Sequence, residues 1–417
     1  MKKTYKFKLY KRKQTKHLDP IIDICGEIWN FCIREHRLFY QFEGGFLNKF
    51  ALQKQITKLK KKSHYSHWNK VPSQAIQDIT DRIDRAYKLF FRNIKLGIPT
   101  SPPKFKKISR YSSFTLKQAG YALLEKDRKI KIIDKIYPYF QSRLIEGTIK
   151  TLTVKRTFLG FYIYLTTDQD IVFPRFDLNR SGNSVVGFDF GLRENKENGS
   201  PYSQTFLISS NGNDLEMSLF LRKSLMELSL LQSKYSRKKT RNTRRKLNRC
   251  HEKVKNQRKD MHWKLAHGLT NEYDILFFET LNLEEMFEEC KKKIYDLGFA
   301  SFLNILKYLA ILKGKLVHQI DQWFPSSKRC NICGWIYEDL KSNETRWVCK
   351  NCGMDHNRDR NASFNILEQG REELGLKYPW ENLICFSHEK VNKEGASSVG
   401  LKEKASAFSP IQESHVL

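Results

Sequence analysis

The sequence predicts a multidomain protein of mixed α+β and α/β structure, on three observations. Short runs in the first half alternate polar and apolar residues, as half-buried strands do. Apolar residues between these runs recur at three- and four-residue steps, which indicates helices. The second half contains short, almost wholly apolar strands and two Cys-x-x-Cys pairs. A β-domain with a helical insert, followed by an α/β domain that carries a small metal ribbon, accounts for all three.

In the first half, the N-terminal segment KTYKFKLY alternates and predicts a strand that joins later ones. The later runs lie at 112–116, 129–133, 148–155 and 158–166, and they suit a small β-barrel or sheet. Helices are expected at 21–40 and around Ile76, Ile79, Ile83, Tyr87 and Phe90, the second entered at Pro72-Ser73. We therefore predict a β-barrel domain from residues 1–15 plus 110–175, and a helical domain from residues 16–109.

The second half reads as an α/β unit that begins near residue 176. SVVGFDFGL is an apolar strand with Asp189 inside it, and QTFLISS followed by Asn211-Gly212 indicates the next strand and a turn. A long helical region is expected over 214–268. DILFFE then predicts a buried strand that ends at Glu279. The predicted boundaries are 176–325 for this unit, 326–355 for the ribbon, 356–370 for a final helix and 371–417 for a flexible tail.

Charge restricts the partners of this chain. Its 417 residues carry 75 Lys and Arg against 45 Asp and Glu, a net charge of +30. The last 48 residues are about neutral, with six basic and seven acidic side chains, so the excess lies before residue 370. Such a balance is typical of nucleic-acid-binding proteins.

No apolar run approaches 18 residues, and the basic N-terminus lacks the apolar core of a signal peptide, so we expect a cytoplasmic protein without a membrane partner.

The most basic segment runs from Lys234 to Lys264, with fourteen Lys or Arg against Glu252 and Asp260. A solvated helix face is the alternative, but so unequal a ratio favours contact with phosphates. The predicted nucleic-acid-binding residues are Lys238, Lys239, Arg241, Arg244, Arg245, Lys246, Arg249 and Arg258. Aromatic residues set among basic ones could stack on unpaired bases, although such rings are more often part of a core: Tyr65, Trp68, Phe105 and Trp263.

The cysteines give the most specific local signal. Cys330-x-x-Cys333 is followed after fifteen residues by Cys349-x-x-Cys352, which is the spacing of a zinc ribbon. Four thiolates fill a tetrahedral zinc site, so we predict a structural Zn²⁺ rather than a catalytic one. The remaining cysteines have no ligand spacing: Cys25, Cys32, Cys250, Cys290 and Cys385. The histidines, His356 among them, also have no companions at ligand spacing, and we expect them to be surface or structural residues.

Three carboxylates far apart in sequence form the second candidate site. Asp189 lies within an apolar strand, Glu279 ends another, and Asp359 follows the ribbon in HNRDRNASFNI. A carboxylate among apolar residues is costly to bury unless it is paired or bound to metal. Two acids at adjacent strand ends with a third on a later helix would make an RNase H-like site for two Mg²⁺ ions that cleaves phosphodiesters. Spacing alone leaves a purely structural role open for each residue.

These blocks together resemble the TnpB family, the transposon-encoded relatives of type V CRISPR effectors. The resemblance rests on GFDFGL, FFETLNLEEM, FPSSKRCNICG with CKNCG, and HNRDRNASFNI, and more loosely on VPSQAIQDITDRIDRAYKLFF and PPKFK. It covers most of residues 1–370. Phe188 and Phe190 replace the more usual aliphatic residues, Ser363 stands where the family often has Ala, and the tail matches poorly.

The resemblance implies a RuvC-like nuclease domain with an inserted zinc ribbon, preceded by a wedge β-barrel that carries a helical recognition insert. It implies catalysis by Asp189, Glu279 and Asp359 with Mg²⁺, a guide RNA from the transposon end, and a double-stranded DNA target. A compact type V CRISPR effector would share every motif. Two further classes are an RNA-guided repressor that does not cleave and a transposase that transfers strands directly. The intact triad argues against the repressor, and the lack of an evident end-binding module argues against the transposase.

Overall fold

A computed structural model of the chain describes residues 2–10, 13–178, 180, 182–191, 202–280, 296–341 and 344–376. These residues form two compact units, of which the first ends at Ile171 and the second begins at Val172. Cys290, Cys385 and residues 377–417 of the predicted tail lie outside the described residues. The finer domain boundaries stay predictions. In the part of the chain that the structure describes, no helix has both the length and the apolar character needed to span a bilayer.

The first unit is built on a seven-stranded antiparallel sheet. Its elements are β1 (Lys2–Leu9), α1 (Leu18–Glu43), α2 (Lys49–Leu59), α3 (Ser73–Lys95), β2 (Ser113–Leu116), β3 (Tyr121–Leu124), β4 (Lys129–Ile132), β5 (Lys135–Phe140), β6 (Thr148–Thr157) and β7 (Gly160–Asp168). The strands lie in the order β2-β6-β7-β1-β5-β4-β3. The N-terminal strand therefore lies between two later strands, β7 and β5, as the sequence predicts.

The prediction of a closed β-barrel is wrong for the described residues. Their sheet is open, with β2 and β3 at its two edges. Both edge strands have only four residues. Alternation along a strand predicts which side chains face the core, but closure depends on the stagger between strands far apart in sequence. No local pattern records that stagger.

The helices of the first unit pack on each other and on the sheet. Helix α3 buries Ile76, Ile79 and Ile83 on one face, which is the predicted apolar stripe. Helices α1 and α3 contact each other, and both contact β2. Helix α2 was not predicted, although Leu52, Ile56 and Leu59 recur within it at helical spacing. Only Leu52 and Ile56 of its eleven residues are buried.

The second unit contains a five-stranded mixed sheet with helices. Its elements are β8 (Val185–Phe190), β9 (Ser203–Ser209), β10 (Leu215–Ser218), α4 (Phe220–Arg237), α5 (Arg241–Glu272), β11 (Ile275–Glu279), α6 (Phe299–Lys313), β12 (Leu316–Ile320), β13 (Arg346–Val348), β14 (Asp355–Asn357) and α7 (Arg358–Glu373). The sheet order is β10-β9-β8-β11-β12. Strands β8, β11 and β12 run parallel, while β9 and β10 are antiparallel to their neighbours.

The predicted helix over 214–268 is wrong at its start and in its middle. Residues 215–218 form the strand β10, because they pair with β9 across the predicted turn. The helical region then divides into α4 and α5 at residues 238–240. Thr240 caps α5, and its side chain exchanges hydrogen bonds with Thr243 in a capping box. Helix α7 extends to Glu373, three residues beyond the predicted end of the final helix.

Asp274 holds together the starts of the three parallel strands. Its carboxylate accepts hydrogen bonds from the backbone N–H and the hydroxyl of Ser184, at 3.0 and 2.9 Å, just before β8. The Lys315 ammonium, just before β12, donates to it at 2.6 Å. Burial alone would raise the pKa of Asp274, but these hydrogen bonds outweigh it and lower the pKa to about 2. One carboxylate thus fixes the register of β8, β11 and β12.

Replacing this carboxylate is expected to loosen the sheet. Asp274→Ala should reduce the free energy of unfolding of the second unit by about 1–3 kcal/mol, since it leaves three donors without their acceptor. The folded pKa lies below the unfolded value, so the contribution is present above about pH 4 and is lost as pH falls toward 2. Chemical denaturation at pH 7 and pH 3 measures both effects. An equal decrease at the two pH values would contradict the ionised role.

Candidate functional site

Asp189 and Glu279 lie side by side on neighbouring parallel strands. Asp189 is the fifth residue of β8, and Glu279 is the last residue of β11. The strand register pairs Phe188 with Phe278, so each acid follows one residue later at the same edge of the sheet. The two acidic side chains are in hydrogen-bonding contact. The structure thus brings together two of the three predicted acids.

The phenylalanines that flank Asp189 build the core on the opposite face of β8. Phe188 stacks on Phe278 with ring centres 5.3 Å apart, and Phe190 packs 4.7 Å from Phe299. Side chains alternate along a strand, so this packing directs the Asp189 carboxylate to the other face. The aromatic substitutions noted in the sequence therefore fill the core and leave the acid in place.

Helix α7 covers that other face of the sheet at very short range. A Cβ atom added at Gly187 would lie 2.4 Å from the Ser363 carbonyl oxygen, and one at Gly370 would lie 2.1 Å from the Phe277 ring. Glycine is required at both positions, because any larger residue would push the helix off the strands. The sequence shows these glycines but not what they face.

The first turn of α7 carries Asp359. The Asn357 side chain caps the helix by accepting hydrogen bonds from the backbone N–H groups of Asp359 and Arg360. This start of the helix places Asp359 close enough to Asp189 and Glu279 for its charge to raise the pKa of both. All three acids predicted from the sequence therefore meet at one end of the sheet.

Burial and mutual repulsion disfavour ionisation in this acidic cluster. Burial raises the pKa of Asp189 well above its usual value, and the charges of Glu279 and Asp359 raise it further. Burial likewise raises the pKa of Glu279 to about 7, against the lowering effect of Asp189 and the Arg358 guanidinium. Asp189 is only 8% exposed. Clustered carboxylates of this kind have the charge and oxygen donors that a hard divalent cation requires.

A second group of ligands lies in the ribbon. Within the described ranges, one group of three or more Cys, His, Asp or Glu has donor atoms all within 4.8 Å of one another, namely Cys330, Cys333, Cys349 and Cys352. The Sγ atoms of Cys330 and Cys352 are 3.7 Å apart, and those of Cys333 and Cys349 are 3.6 Å apart. These four cysteines can hold a metal ion, as the sequence predicts. The three carboxylates are spread more widely than this group.

Each cysteine pair lies on a tight turn closed by a glycine. Gly334 N–H donates to the Cys330 carbonyl at 2.9 Å, and Gly353 N–H donates to the Cys349 carbonyl at 2.8 Å. Both glycines have positive φ, +76° and +73°, a conformation that other residues adopt only with strain. The repeated turn gives both pairs the same geometry around a common centre.

His356 is a further residue at the ribbon, and no ligand role was predicted for it. Its Nε2 atom lies 3.0 Å from the Cys330 Sγ, and its ring centre is 4.6 Å from that of Trp347. The side chain is buried. An imidazole N–H at this distance can donate to a thiolate. No spacing rule could have found this contact, because Cys330 lies 26 residues before His356 and outside the β13–β14 hairpin that carries the imidazole.

Two asparagines of α7 join this helix to the base of the ribbon. Asn361 Nδ2 donates to the Arg329 carbonyl at 2.7 Å, and its Oδ1 accepts from Asn331 N–H at 3.0 Å. Asn365 Nδ2 donates to the carbonyls of Ser326 and Arg329, at 2.7 and 2.6 Å. Sequence reasoning missed both residues. Their four-residue spacing on one helix face was the available signal.

Arg360 fixes the start of α7 to the end of β9. Its guanidinium contacts both oxygens of Asp214, at 2.9 and 2.8 Å, and also the Ser209 carbonyl. A forked contact of this kind sets orientation as well as distance. Together with the two asparagines, it links the acidic cluster, the sheet and the ribbon through one helix. Its partner Asp214 lies in the β9–β10 connection, so sequence spacing gave no hint of the pair.

The predicted nucleic-acid-binding residues lie in the connection 238–240 between α4 and α5 and along α5. Six of the eight are exposed: Lys238, Lys239, Arg241, Arg244, Lys246 and Arg249. Arg245 is half-buried. Arg258 is half-buried too. Its Cδ and Nε atoms lie 3.4 Å from the point that a Cβ atom added at Gly298 would occupy. This packing gives Arg258 a structural contact that the sequence did not predict.

The rings suggested for base stacking differ in exposure. Trp68 is only 2% exposed and belongs to the core, whereas Phe105 is 48% exposed. Tyr65 and Trp263 are half-buried and pack against core residues.

The cysteines outside the ribbon that the structure describes, Cys25, Cys32 and Cys250, are all buried. Burial raises the pKa of Cys25 and of Cys32 to about 12, so these two thiols are inert.

The fold and the site together define a mixed α/β protein with an acidic cluster at the ends of its parallel strands. Helix α7, which supplies Asp359, also contacts the base of the four-cysteine ribbon. Two family models match the parts of the chain that carry these features. Residues 204–289 match the family described as "Probable transposase", and residues 299–366 match "Cas12f1-like, TNB domain". The first match includes the strand that carries Glu279, and the second includes the ribbon and Asp359.

Relatives extend the similarity over most of the chain. A "Putative RNA-guided DNA endonuclease" of Streptomyces pristinaespiralis is 24% identical over 383 residues, which is 89% of this chain and 90% of that protein. "Putative RNA-guided DNA endonuclease InsQ" of Escherichia coli (strain K12) is 25% identical, over 73% and 76% of the two chains. "TnpB-like protein L79" of Acanthamoeba polyphaga mimivirus is 30% identical, over 50% of this chain and 40% of that protein. The resemblance to TnpB predicted from the sequence is confirmed.

Solved structures give weaker matches. The Cas12f1 chain of a Cas12f1-sgRNA-target DNA complex is 14% identical, with a TM-score of 0.45, over 88% of this chain and 98% of that chain. The mini-RNA-guided endonuclease CRISPR-Cas_phi3 is 11% identical, with a TM-score of 0.42, over 89% and 92%.

Proposed function

We propose that this protein is an RNA-guided, metal-dependent DNA endonuclease of the TnpB kind, encoded by a transposon and linked to transposition. The observation that carries the proposal is the meeting of Asp189, Glu279 and Asp359 where two neighbouring parallel strands of a mixed sheet end. The helix that supplies the third acid also holds the ribbon. Similarity to proteins named as RNA-guided DNA endonucleases, over 89% of the chain in one case, supports the same conclusion.

We assign the second unit to the RuvC-like, RNase H-like class of nuclease. The support is the sheet order β10-β9-β8-β11-β12, in which acids follow one another on two adjacent parallel strands. The first unit would then supply the wedge, as an open sheet in place of a barrel, and the helical recognition region. These finer assignments are part of the proposal.

The acidic cluster would hold Mg²⁺, with two ions as the expected number. When bound, such ions polarise a phosphodiester and lower the pKa of a coordinated water, which makes hydrolysis possible near neutral pH. The residues of this chain supply oxygen ligands on rigid elements: Asp189 and Glu279 on strands, and Asp359 on a capped helix. Arg358 lies close enough to offset part of the negative charge. Aromatic core residues beneath Asp189 keep its carboxylate in a fixed position.

The four cysteines would hold a structural Zn²⁺. Four sulfurs at about 2.3 Å from a tetrahedral zinc lie about 3.8 Å from one another. The observed Sγ separations of 3.7 and 3.6 Å fit this geometry. Since all four positions are protein ligands, the ion would stabilise the ribbon and take no part in cleavage.

The partners would be a guide RNA from the transposon end and a double-stranded DNA target. A net charge of +30 suits a long polyanionic surface better than a small substrate. Base pairing would read the sequence, while the protein would hold the backbone, as in another RNA-guided nuclease. The site of action would be the nucleoid of a prokaryotic cytoplasm.

A compact type V CRISPR effector is the second candidate. The match of residues 299–366 to a domain described as Cas12f1-like favours it specifically. Both candidates use the same three acids and four cysteines, so the protein sequence does not separate them. The form of the bound RNA does.

The test is to express the gene with its flanking DNA, purify the protein and sequence the RNA that co-purifies. A single RNA species from the 3′ flank is expected, and it provides the guide for a cleavage assay. A spacer-repeat RNA would move the protein to the CRISPR effectors. Purification without RNA would overturn the guided mechanism and return weight to direct DNA binding by a transposase.

Exposed cations of α5 are expected to bind phosphates. Replacing Arg241, Arg244 and Lys246 together by Gln should weaken RNA binding. The slope of log K against log salt should fall by about 0.7–0.9 for each phosphate that the variant no longer neutralises. Fluorescence anisotropy at several salt concentrations measures both quantities. Lys341→Gln in the same unit is the control and should leave the slope unchanged, while an unchanged slope in the triple variant would exclude α5 from the interface.

A further inference from the structure

A groove in the first unit is a candidate binding site separate from the acidic residues and the ribbon. It lies between α1, α3 and the loop over residues 98–107, and its volume is about 360 Å³, within the range of ligand sites. Its lining includes Trp29, Phe90, Asn93, Lys104 and Phe105. Aromatic rings, an amide and ammonium groups thus border one concave surface.

Phe105 stands at the mouth of this groove with an accessible ring. It is 48% exposed, whereas Trp68, suggested from the sequence for the same purpose, is 2% exposed. The Arg37 guanidinium carbon lies 4.5 Å from the centre of the Phe105 ring. An exposed phenyl ring next to a guanidinium group is a platform on which a flat base can stack.

The loop that carries Phe105 is held in place before any ligand binds. The Asn30 side chain makes two hydrogen bonds with the backbone of Lys106, at 2.9 and 2.8 Å. Trp29 Nε1 donates to the Lys104 carbonyl at 3.3 Å. Prolines 99, 102 and 103 restrict the remaining backbone. A groove formed in advance loses little entropy when it is filled.

The charged residues that line the groove are all basic. Residues 85–110, all of which the structure describes, contain eight Lys or Arg and no Asp or Glu. Lys104 and Lys106 both line the groove. Apolar rings accompanied by cations alone suit a ligand that is flat and apolar in one part and anionic in another.

We propose that this groove binds an unpaired nucleotide of RNA, with its base on Phe105 and its phosphate at Lys104 and Lys106. Thr100, Ser101 and Asn93 line the same groove and supply hydrogen-bonding groups that suit a ribose 2′-hydroxyl, which favours RNA over DNA. This inference rests on the proposed function and adds a specific contact to it. Arg37 would hold the phenyl ring in its stacking position.

The test uses the full-length protein, freed of co-purified RNA, and a single-stranded RNA 12-mer containing one 4-thiouridine. Ultraviolet cross-linking followed by mass spectrometry should place the link on a peptide that contains Phe105. Phe105→Ala should lower both the cross-link yield and the affinity by roughly 5- to 100-fold, the cost expected for one stacked base. Phe42→Ala, at a residue that is 75% exposed on α1 of the same unit, is the matched control and should change neither.

Each other outcome overturns the inference in a distinct way. If Phe105→Ala binds and cross-links like the wild type, the groove is not the site, although guided cleavage could still hold. If a DNA 12-mer of the same sequence binds equally well and responds equally to Phe105→Ala, the preference for RNA is wrong. If the wild-type chain binds no RNA at all, the proposed function fails together with the inference.

Discussion

Asp189→Asn is expected to abolish cleavage of target DNA, by about a thousandfold or more, while guide RNA still binds. The substitution keeps the shape of the side chain and removes the charge of one of the three acids, so the loss of cleavage reports on cation binding. In the metal-free protein the same change should raise the melting temperature, because Asp189 is buried beside Glu279 and Asp359 and their repulsion is relieved. About 1 kcal/mol of relief corresponds to a rise of about 2–4 °C.

Three measurements check this prediction together: cleavage of a guide-matched duplex, binding of the RNA, and melting with and without Mg²⁺. Magnesium should raise the melting temperature of the wild type and leave that of Asp189→Asn nearly unchanged. Asp339→Asn alters an exposed carboxylate in the same unit and should behave as the wild type throughout. Cleavage by Asp189→Asn at the wild-type rate would exclude the acidic cluster as the active site.

Cys349→Ser is expected to have the second-largest effect. Cys349 is buried, and its sulfur lies 3.6 Å from that of Cys333, so the weaker hydroxyl ligand should release the metal and unfold the ribbon. Bound zinc should fall from about one ion per chain to nearly none. Cleavage should fall too, since Asn361 and Asn365 connect the ribbon base to the helix that carries Asp359.

Metal content by elemental analysis and cleavage rate are the two readouts. Cys250→Ser replaces a buried cysteine outside the ribbon and should retain both zinc and activity. Retention of a full zinc equivalent by Cys349→Ser would remove the four-cysteine assignment. Release of zinc with undiminished cleavage would preserve that assignment but contradict the coupling through α7.

Local sequence patterns predicted those strands and helices whose apolar residues recur at a regular spacing. The alternating runs became β2, β4, β6 and β7, and the apolar stripe on α3 is buried as expected. Several elements escaped prediction, and for helix α6 and strand β12 no expectation was made at all. Strands β3 and β5 are short or irregularly patterned, and α2 buries only Leu52 and Ile56. Strand β10 was hidden at the start of a helical pattern, because its four residues pair with β9 and not with their neighbours in sequence.

The sequence by itself identified the residues that carry the proposed chemistry. Spacing singled out the four cysteines, the excess of Lys and Arg singled out the basic helix, and the resemblance to TnpB selected the three acids. Tertiary structure alone decided how these groups are joined. Gly187 and Gly370 let α7 lie against the strands, Asp274 aligns three strand starts, and His356 reaches Cys330. Tertiary structure also decided that the seven-stranded sheet of the first unit stays open among the described residues. These features depend on which distant residues meet, and a one-dimensional pattern carries no record of such meetings.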